Sequence, residues 1–206
     1  MTIVALLLAA GASSRYGGAN KLLLPFGDGK VVIQRVARAI QSAGIDHIIT
    51  VTGHQSHEVR AALQEVPCAF VHNPRYAEGE MISSIRTGLT HLTDTATSAQ
   101  AALIVLGDQP LLPAWVIRQL HQAFERGCGD ILAPRFRVQR GHPVLIARRF
   151  WPEAMQLPDG APMRTLLLRH PRDVAHLQVN TDAVLRDVDT PELYAAAIKT
   201  LQSGES

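Results

Sequence analysis

The feature that most constrains the fold of this chain is an apolar run at the amino terminus, which is followed by a glycine-rich polar loop. Residues 3–8 read IVALLL, and Gly11 opens a loop of small and polar residues that continues to Lys21. A strand buried on both faces shows a continuous apolar run, whereas a strand buried on one face alternates. The run lacks a basic flank and is far shorter than the roughly 20 apolar residues of a membrane span. Residues 3–8 are therefore predicted to form a buried parallel strand rather than a signal peptide or a membrane anchor.

Strand and helix patterns alternate after this run. Further strands are predicted at 47–52, 68–72, 101–106 and 130–134, and helices at 31–44, 56–65, 79–92 and 113–126. Beyond residue 134 the pattern is less regular, with strands expected at 143–147 and 176–179 and helices at 162–169 and 190–201. This alternation predicts an α/β fold with a mostly parallel central sheet and helices on both faces. Ligands bind at the carboxyl ends of the strands in such sheets, so the loops that follow them should share one rim.

Composition and charge exclude several classes of protein. Hydrophobic residues make up 47% of the 206 positions, which is enough to build a sizeable core and excludes general disorder. The net charge of +2 is too small to indicate nucleic-acid binding over the whole surface. Cys68 and Cys128 form no CxxC pair, so neither a disulfide scaffold nor a zinc ribbon is indicated. We expect a single cytoplasmic domain over residues 1–206, with no nucleic-acid partner and no membrane partner.

Positive charge is concentrated in one segment of the chain. Residues 135–172 contain eight arginines, no lysine and only two acids, Glu153 and Asp159. Guanidinium groups bind phosphate and carboxylate groups in a bidentate manner, so the segment suits an anionic ligand. A solvated basic face explains the same composition equally well.

The loop at residues 10–21 has the composition of a phosphate-binding loop but neither of the two common spacings. Gly11 is followed by Ala-Ser-Ser-Arg, which is not GxGxxG, and Lys21 lies between Asn20 and Leu22, which is not GxxxxGK[ST]. Dinucleotide and P-loop sites are therefore both disfavoured. Arg15 and Lys21 flank the pair Gly17-Gly18 and would attract a polyphosphate, although both could be solvated loop cations.

The pattern LAAGASSRYG…K at residues 8–21 resembles the signature of the MobA-like nucleotidyltransferases. The resemblance continues at TGH (52–54), NPRYAEGEMISSI (73–85), GDQP (107–110), GHP (141–143) and DVDTPELY (187–194). Order and spacing are most similar to those of the molybdenum cofactor cytidylyltransferases of the MocA type. The resemblance implies a Rossmann-like nucleotidyltransferase fold, Mg²⁺ as cofactor and transfer of CMP from CTP to the phosphate of molybdopterin. Ala10 stands where guanylyl-transferring relatives have glycine, which favours CTP over GTP.

The resemblance also assigns roles to individual residues. Residues 1–134 would be the nucleotide-binding half and residues 135–201 an acceptor-side elaboration. Catalytic roles fall to Lys21, Arg15 and Asp108, and metal ligation to Asp108 and Asp189, with Asp187 in reserve. Acceptor binding falls to Arg140, Gly141 and His142. The nucleotide-binding set is Leu8, Ala9, Ala10, Gly11, Ser13, Ser14, Arg15, Lys21, Gly53, Asn73, Gly79, Ser83 and Ser84.

Each of the main candidates also has a purely structural explanation. Asp108 follows a buried strand and could cap a turn, and Asp189 or Thr190 could cap the last helix. Asn73 precedes a proline and could form a turn, while His142 could be a structural histidine. These explanations stay open at the level of the sequence.

Three other functions compete with cytidylyl transfer to molybdopterin. The first is nucleotidyl transfer to another phosphorylated acceptor, which the loop and Asp108 do not exclude. The second is a non-catalytic carrier that delivers the molybdenum cofactor to a molybdoenzyme, such as one of the xanthine dehydrogenase type. A carrier has no need of a metal–triphosphate centre, so the retention of Lys21 and Asp108 argues against it. The third, an NAD-dependent oxidoreductase, is disfavoured by the glycine spacing.

Overall fold

The computed structural model describes residues 2–78, 80–95 and 98–203 and places the apolar amino-terminal run in the middle of one eight-stranded sheet. The strands are β1 (Ile3–Ala9), β2 (Ile48–Thr52), β3 (Ala69–His72), β4 (Ala101–Leu106), β5 (Ile131–Phe136), β6 (Gln139–Arg140), β7 (Val144–Ala147) and β8 (Val174–Val179). Their order is β3-β2-β1-β4-β7-β5-β6, and β8 pairs with β5. All seven residues of β1 are buried, as expected for a strand covered on both faces.

The sheet is mixed but mostly parallel, as predicted. β1 pairs in parallel with β2 and β4, β2 with β3, and β5 with β8. β7 runs antiparallel to both β4 and β5, and β6 runs antiparallel to β5. Strands from before and after residue 134 therefore join in one continuous sheet.

Seven α-helices pack on the sheet. They are α1 (Val32–Ser42), α2 (Ser56–Ala62), α3 (Met81–Asp94), α4 (Ala114–Glu125), α5 (Trp151–Met155), α6 (Arg164–Arg169) and α7 (Pro191–Ser203). α1 contacts α2 and α4, whereas α3 contacts α5, β1 and β2. The predicted apolar face of α1 is confirmed, since Val32, Ile33, Val36, Ala37 and Ile40 are all buried. Gly44 follows this helix with a φ of +84°, the left-handed conformation that commonly ends a helix.

The irregular region after residue 134 contains two elements that the sequence did not predict. β6 has only two residues, too few to show an alternating pattern. α5 has five residues and begins with Trp151-Pro152, where proline at the helix start is favourable. The part of the chain that the structure describes contains no helix long and apolar enough to cross a membrane.

The carboxyl edge of the sheet is closed by backbone hydrogen bonds between β1, β4 and the segment before α7. Gly107 N–H donates to the carbonyl of Leu8 at 2.9 Å, and Val188 N–H donates to the carbonyl of Asp108 at 2.9 Å. A Cβ atom at Gly107 would lie 2.7 Å from the Leu8 carbonyl oxygen, so the close approach requires glycine. These contacts bring residues 8–11, 107–108 and 187–189 to one rim.

Candidate active site

The rim of the sheet carries a lysine that contacts two carboxylates from distant parts of the chain. Lys21 Nζ donates to Asp108 Oδ2 and to Asp189 Oδ1, each at 2.5 Å. Asp108 follows β4 by two residues, Asp189 lies just before α7, and Lys21 begins a 3₁₀ turn after the glycine-rich loop. The side chains of Lys21 and Asp108 are only 12% and 18% exposed, so solvent screens this contact weakly. The contacts of Lys21 therefore unite three of the four residues predicted to be catalytic or metal-ligating, and Arg15, the fourth, contacts Asp189.

The opposite charges of Lys21, Asp189 and Arg15 stabilise the ionised forms of one another. Burial tends to lower the pKa of Lys21, but Asp108 and Asp189 outweigh it and raise the pKa above its usual value. Burial tends to raise the pKa of Asp189, but Lys21 and then Arg15 outweigh it and lower the pKa. Asp187 differs, because burial and the neighbouring Asp189 and Asp108 raise its pKa. At neutral pH the cluster accordingly holds a protonated Lys21 beside an ionised Asp189.

Arg15 and Tyr16 join the first loop to the segment that carries Asp189. Arg15 Nη1 donates to Asp189 Oδ2 at 3.0 Å, and its side chain is 65% exposed. The Tyr16 hydroxyl lies 2.6 Å from the carbonyl oxygen of Val188 and 2.8 Å from that of Thr190. Both contacts orient the Asp189 carboxylate toward the loop.

Thr190, and not Asp189, caps α7. Its hydroxyl oxygen accepts a hydrogen bond from Leu193 N–H at 3.3 Å, which is a capping contact at the start of the helix. Both carboxylate oxygens of Asp189 remain directed at Lys21 and Arg15. The capping explanation for Asp189 is therefore wrong.

The first loop is held in shape by its own polar side chains. Ser13 has a φ of +51°, and its hydroxyl oxygen accepts from Lys21 N–H at 3.1 Å. Asn20 is 4% exposed, and its Oδ1 accepts from Leu22 N–H at 3.0 Å. Ser14 is exposed at the start of a 3₁₀ turn. Ser13 thus shapes the turn that presents Lys21.

A cavity of about 250 Å³ adjoins the Lys21 cluster. Its lining contains six predicted site residues: Leu8, Ala10, Gly11, Ser84, Asp108 and Asp189. Tyr76, Glu80, Met81, Leu106 and Asp187 complete the lining. Its size and its position beside a cationic loop suit a nucleotide phosphate and part of a base.

Four predicted nucleotide-binding residues lie behind this cavity. Ala9 is buried in the sheet opposite Thr52, and Gly53 packs so closely on Tyr76 that a Cβ atom would not fit. Asn73 Nδ2 donates to the hydroxyls of Ser83 at 2.9 Å and Ser84 at 3.1 Å. Asn73 and Ser83 thus brace Ser84 from within the fold, and Gly79 lies outside the described residues.

A second cavity of about 540 Å³ contains all three residues predicted to bind the acceptor, Arg140, Gly141 and His142. It shares Glu80 and Met81 with the first cavity, so the two adjoin. Its remaining lining is Ile82, Val144, Gly160, Ala161, Pro162, Met163, Arg164 and Leu167. Burial lowers the pKa of His142 to about 4, so this imidazole is neutral at neutral pH. Its Nδ1 atom is buried and has no hydrogen-bond partner among the described residues.

One wall of the second cavity is fixed by a network around Asp159. Asp159 accepts from Arg75 Nη2 at 2.7 Å and from Arg86 Nη1 at 2.9 Å. Glu80 Oε2 accepts from Gly160 N–H at 2.7 Å. The loop after α5 is therefore attached to the segment that also lines the first cavity.

The donor set at the first cavity suits a hard divalent cation. Asp108 Oδ1 is buried without a hydrogen-bond partner in the described part of the chain, and Asp189 is ionised. Mg²⁺ prefers oxygen donors and is usually held by one or two carboxylates together with substrate phosphates. Within the described ranges no group of three or more His, Cys, Asp or Glu side chains is arranged to hold a metal alone. Asp108 and Asp189 therefore fit Mg²⁺ as a shared site that a bound triphosphate would complete.

Several cavity residues were not singled out from the sequence. Tyr76, Glu80 and Met81 belong to the NPRYAEGEMISSI motif, but their types alone did not distinguish them. Arg164, which lines the second cavity, lies in the arginine-rich segment. Tyr16 lines neither cavity but holds the Asp189 segment, and it lies next to Arg15 in the signature loop. Only the folded arrangement shows which members of these segments face a cavity.

The fold and this rim define a nucleotidyltransferase, and comparison with known proteins gives the family. The profile of the MobA-like NTP transferase domain matches residues 5–174, and the chain belongs to that family. It is 28% identical over 193 residues to the molybdenum cofactor cytidylyltransferase of Escherichia coli K12, covering 93% of each chain. It is equally 28% identical over 197 residues to the nicotine blue oxidoreductase of Paenarthrobacter nicotinovorans, covering 92% of this chain and 93% of that one. Among solved structures, the manganese complex of Rv0371c from Mycobacterium tuberculosis H37Rv has a TM-score of 0.77 and 25% identity, covering 97% of this chain and all of that one.

Proposed function

We propose that this nucleotidyltransferase transfers CMP from CTP to the phosphate of molybdopterin or its molybdenum form and releases pyrophosphate. The observation that carries the proposal is the contact of Lys21 with Asp108 and Asp189 at the edge of a cavity that also contains Ala10 and Gly11. A relative of the same length, 28% identical, is a molybdenum cofactor cytidylyltransferase.

The proposed chemistry needs positioning and charge rather than a covalent intermediate. The acceptor oxygen belongs to a phosphate monoester that is ionised near neutral pH, so no strong general base is required. Arg15, largely exposed on the loop, would bind the β- and γ-phosphates, and Lys21 would stabilise charge that develops as pyrophosphate leaves. Asp108 and Asp189 would hold Mg²⁺, which when bound supplies positive charge beside the phosphate oxygens. The manganese complex of the similar mycobacterial protein supports a divalent cation in this fold.

The two cavities support the proposed division of the chain into a nucleotide-binding half (1–134) and an acceptor-side elaboration (135–201). Arg140, Gly141 and His142 line the larger cavity, whereas Ala10, Gly11 and Ser84 line the smaller one. The division is not strict, because Asp189 lines the nucleotide side and Glu80 lines both cavities. The reacting phosphate of the acceptor would lie where the cavities meet.

Equal identity to a relative named an oxidoreductase means that overall similarity does not choose between the two activities. The residues favour the transferase, since Lys21 and two acidic side chains form a centre suited to a metal-bound triphosphate. A carrier of the molybdenum cofactor would leave this centre without a role. We also infer that the product would be destined for a molybdoenzyme, such as one of the xanthine dehydrogenase type.

The test is transfer of label from α-phosphate-labelled CTP. Purified protein with Mg²⁺ and molybdopterin should form a labelled pterin dinucleotide, and dephosphorylated molybdopterin should give none. Parallel reactions with sugar phosphates test another acceptor, and reactions with NADH or NADPH and no CTP test an oxidoreductase. Labelling of a sugar phosphate, or oxidation of NADH, in place of pterin labelling would refute the proposed substrate. Delivery of cofactor to a target enzyme without any labelled product would indicate a carrier.

A further inference from the structure

The acceptor-side cavity contains two guanidinium groups that no carboxylate neutralises within the described part of the chain. Arg140 and Arg164 both line the cavity and take part in none of its ion pairs. Other arginines of the same segment are paired, as Arg149 is with Asp130 and Asp173, and Arg169 with Glu153. The arginine-rich segment is thus not uniformly a solvated basic face, because two of its arginines that form no ion pair among the described residues line a cavity.

The strand paired with β6 carries a second arginine beside Arg140. Arg140 on β6 lies directly opposite Arg135 on β5 in an antiparallel pair, which places their side chains on the same face. His176 on β8 is in register with Ala133, two residues before Arg135, and so projects from that face too. Burial and then the charges of Arg140 and Arg135 lower the pKa of His176, so this imidazole is neutral at neutral pH. Like charges on directly opposed residues destabilise a sheet, so this arrangement carries a cost that an anionic ligand would offset.

Burial and the positive charge of Arg164 both affect the pKa of the Arg140 guanidinium. Together they lower the pKa of this guanidinium, burial having the larger effect, which indicates that the two cations face the same space. The neutral imidazole of His142 lines the same cavity, and its buried Nδ1 has no partner among the residues described. The cavity therefore presents two cations beside the apolar side chains of Met81, Met163 and Leu167. Its acidic lining residue, Glu80, pairs with neither arginine, and its Oε2 accepts a hydrogen bond from Gly160 N–H.

These two cations are separate from the phosphate site. Lys21, Asp108 and Asp189 do not line the cavity that contains Arg140 and Arg164. Under the proposed function, on which this inference rests, the reacting phosphate of the acceptor must approach Lys21. We propose that Arg140 and Arg164 form a second anion-binding subsite, which binds a negatively charged group of the acceptor other than the phosphate that reacts. That group is either the sulfur-bearing end of molybdopterin or its oxo-molybdenum centre, and both are anionic.

Binding of inorganic phosphate tests the subsite without any turnover. Calorimetric titrations would compare the Arg15→Ala protein, in which the triphosphate site is weakened, with the double variants Arg15→Ala/Arg164→Gln and Arg15→Ala/Arg172→Gln. Arg172 is the matched control, because it is an exposed arginine of the same segment that lies outside the cavity lining. Both substitutions remove one positive charge, so the two variants have the same net charge. Loss of a charge-assisted hydrogen bond should weaken binding about tenfold for Arg164→Gln, and less than about twofold for Arg172→Gln. Equal affinities for the two variants, or no phosphate binding in the background protein, would overturn the proposal.

Turnover then identifies the anionic group. Arg164→Gln should raise the KM for the acceptor about tenfold, leave the KM for CTP within about twofold of wild type, and be partly rescued by Arg164→Lys. A larger defect with the molybdenum form than with molybdopterin points to the oxo-molybdenum group, and equal defects point to the sulfur end. An unchanged acceptor KM in an otherwise active variant would refute the subsite. If the wild type transfers CMP to neither form, the proposed function fails, whereas the phosphate titrations still decide the subsite.

Discussion

The ammonium nitrogen of Lys21 lies 2.5 Å from Oδ1 of Asp189, although 168 positions separate the two residues in the chain. Thr190 makes this contact possible because it caps α7 and leaves the Asp189 carboxylate directed at the loop. Asp108 binds the same ammonium from the other side at 2.5 Å. The first loop, the end of β4 and the start of α7 thus meet at one charged centre.

Replacement of Asp108 by asparagine should abolish most activity and leave the fold intact. The amide is nearly isosteric with the carboxylate but is neutral, so it binds a divalent cation and Lys21 less strongly. Electrostatic groups of this kind contribute about 10²–10³-fold to kcat. Steady-state pyrophosphate release gives kcat, and circular dichroism gives the fold. A folded Asp108→Asn protein with wild-type kcat would exclude Asp108 from the active centre.

Lys21 and Arg15 should differ in the kinetic constant that they affect. Lys21 is buried in the cluster and acts as charge develops, so Lys21→Ala should lower kcat strongly and leave acceptor affinity near that of the wild type. Arg15 is exposed and would contact phosphates before and during transfer, so Arg15→Ala should mainly raise the KM for CTP. The measurement is initial-rate kinetics with each substrate varied in turn. A rise in KM alone for Lys21→Ala would contradict its assigned role.

The preference of the protein for CTP over GTP should depend on Ala10. This residue is 4% exposed and lines the smaller cavity, and its carbonyl oxygen accepts from His54 N–H at 3.2 Å. Its methyl group narrows the space for a base, so wild-type protein should use CTP well above GTP. Ala10→Gly should raise kcat/KM for GTP relative to CTP. The comparison is one of kcat/KM values for the two nucleotides, and equal or better use of GTP by the wild type would refute cytidylyl specificity.

Stability should depend on the protonation of His142 below neutral pH. Burial holds the pKa of His142 at about 4, whereas the same group titrates near 6.5 in the unfolded chain. The unfolded state therefore binds the extra proton between these values, and stability falls as the pH falls through that window. His142→Gln removes this titration, so between about pH 6.5 and pH 4 the wild type should lose about 3 kcal/mol more of unfolding free energy than the variant. Urea unfolding at both ends of the window measures this difference, and parallel losses would show that His142 titrates normally.

The sequence predicted those helices and strands whose local hydrophobic patterns are strong. β1 and β4 are continuous apolar runs, and α1 shows a clean apolar face, so all three could be identified without tertiary information. β6 and α5 are two and five residues long, too short for any periodicity to emerge. Long-range pairing with β5, and the contact of α5 with α3, hold these short elements in place.

The charged centre was more predictable than the walls of the cavities. Lys21 and Asp108 each follow a recognisable feature of the sequence, a glycine-rich loop and a buried strand. Glu80 and Arg164 instead reach the acceptor-side cavity because the ion pairs of Asp159 fix the loop after α5. Such contacts join residues more than 70 positions apart, and no local pattern encodes them.

Cytidylyl transfer at the Lys21 cluster is tested by pyrophosphate release from the wild type and from Lys21→Ala, measured side by side with Mg²⁺, molybdopterin and each nucleoside triphosphate in turn. We expect CTP-dependent release by the wild type, one pyrophosphate for each pterin dinucleotide formed, and a loss of roughly 10²-fold or more in Lys21→Ala. A wild-type protein that binds molybdopterin but releases no pyrophosphate from any nucleotide would refute nucleotidyl transfer to molybdopterin. Equal release by Lys21→Ala would contradict the role of the Lys21 cluster.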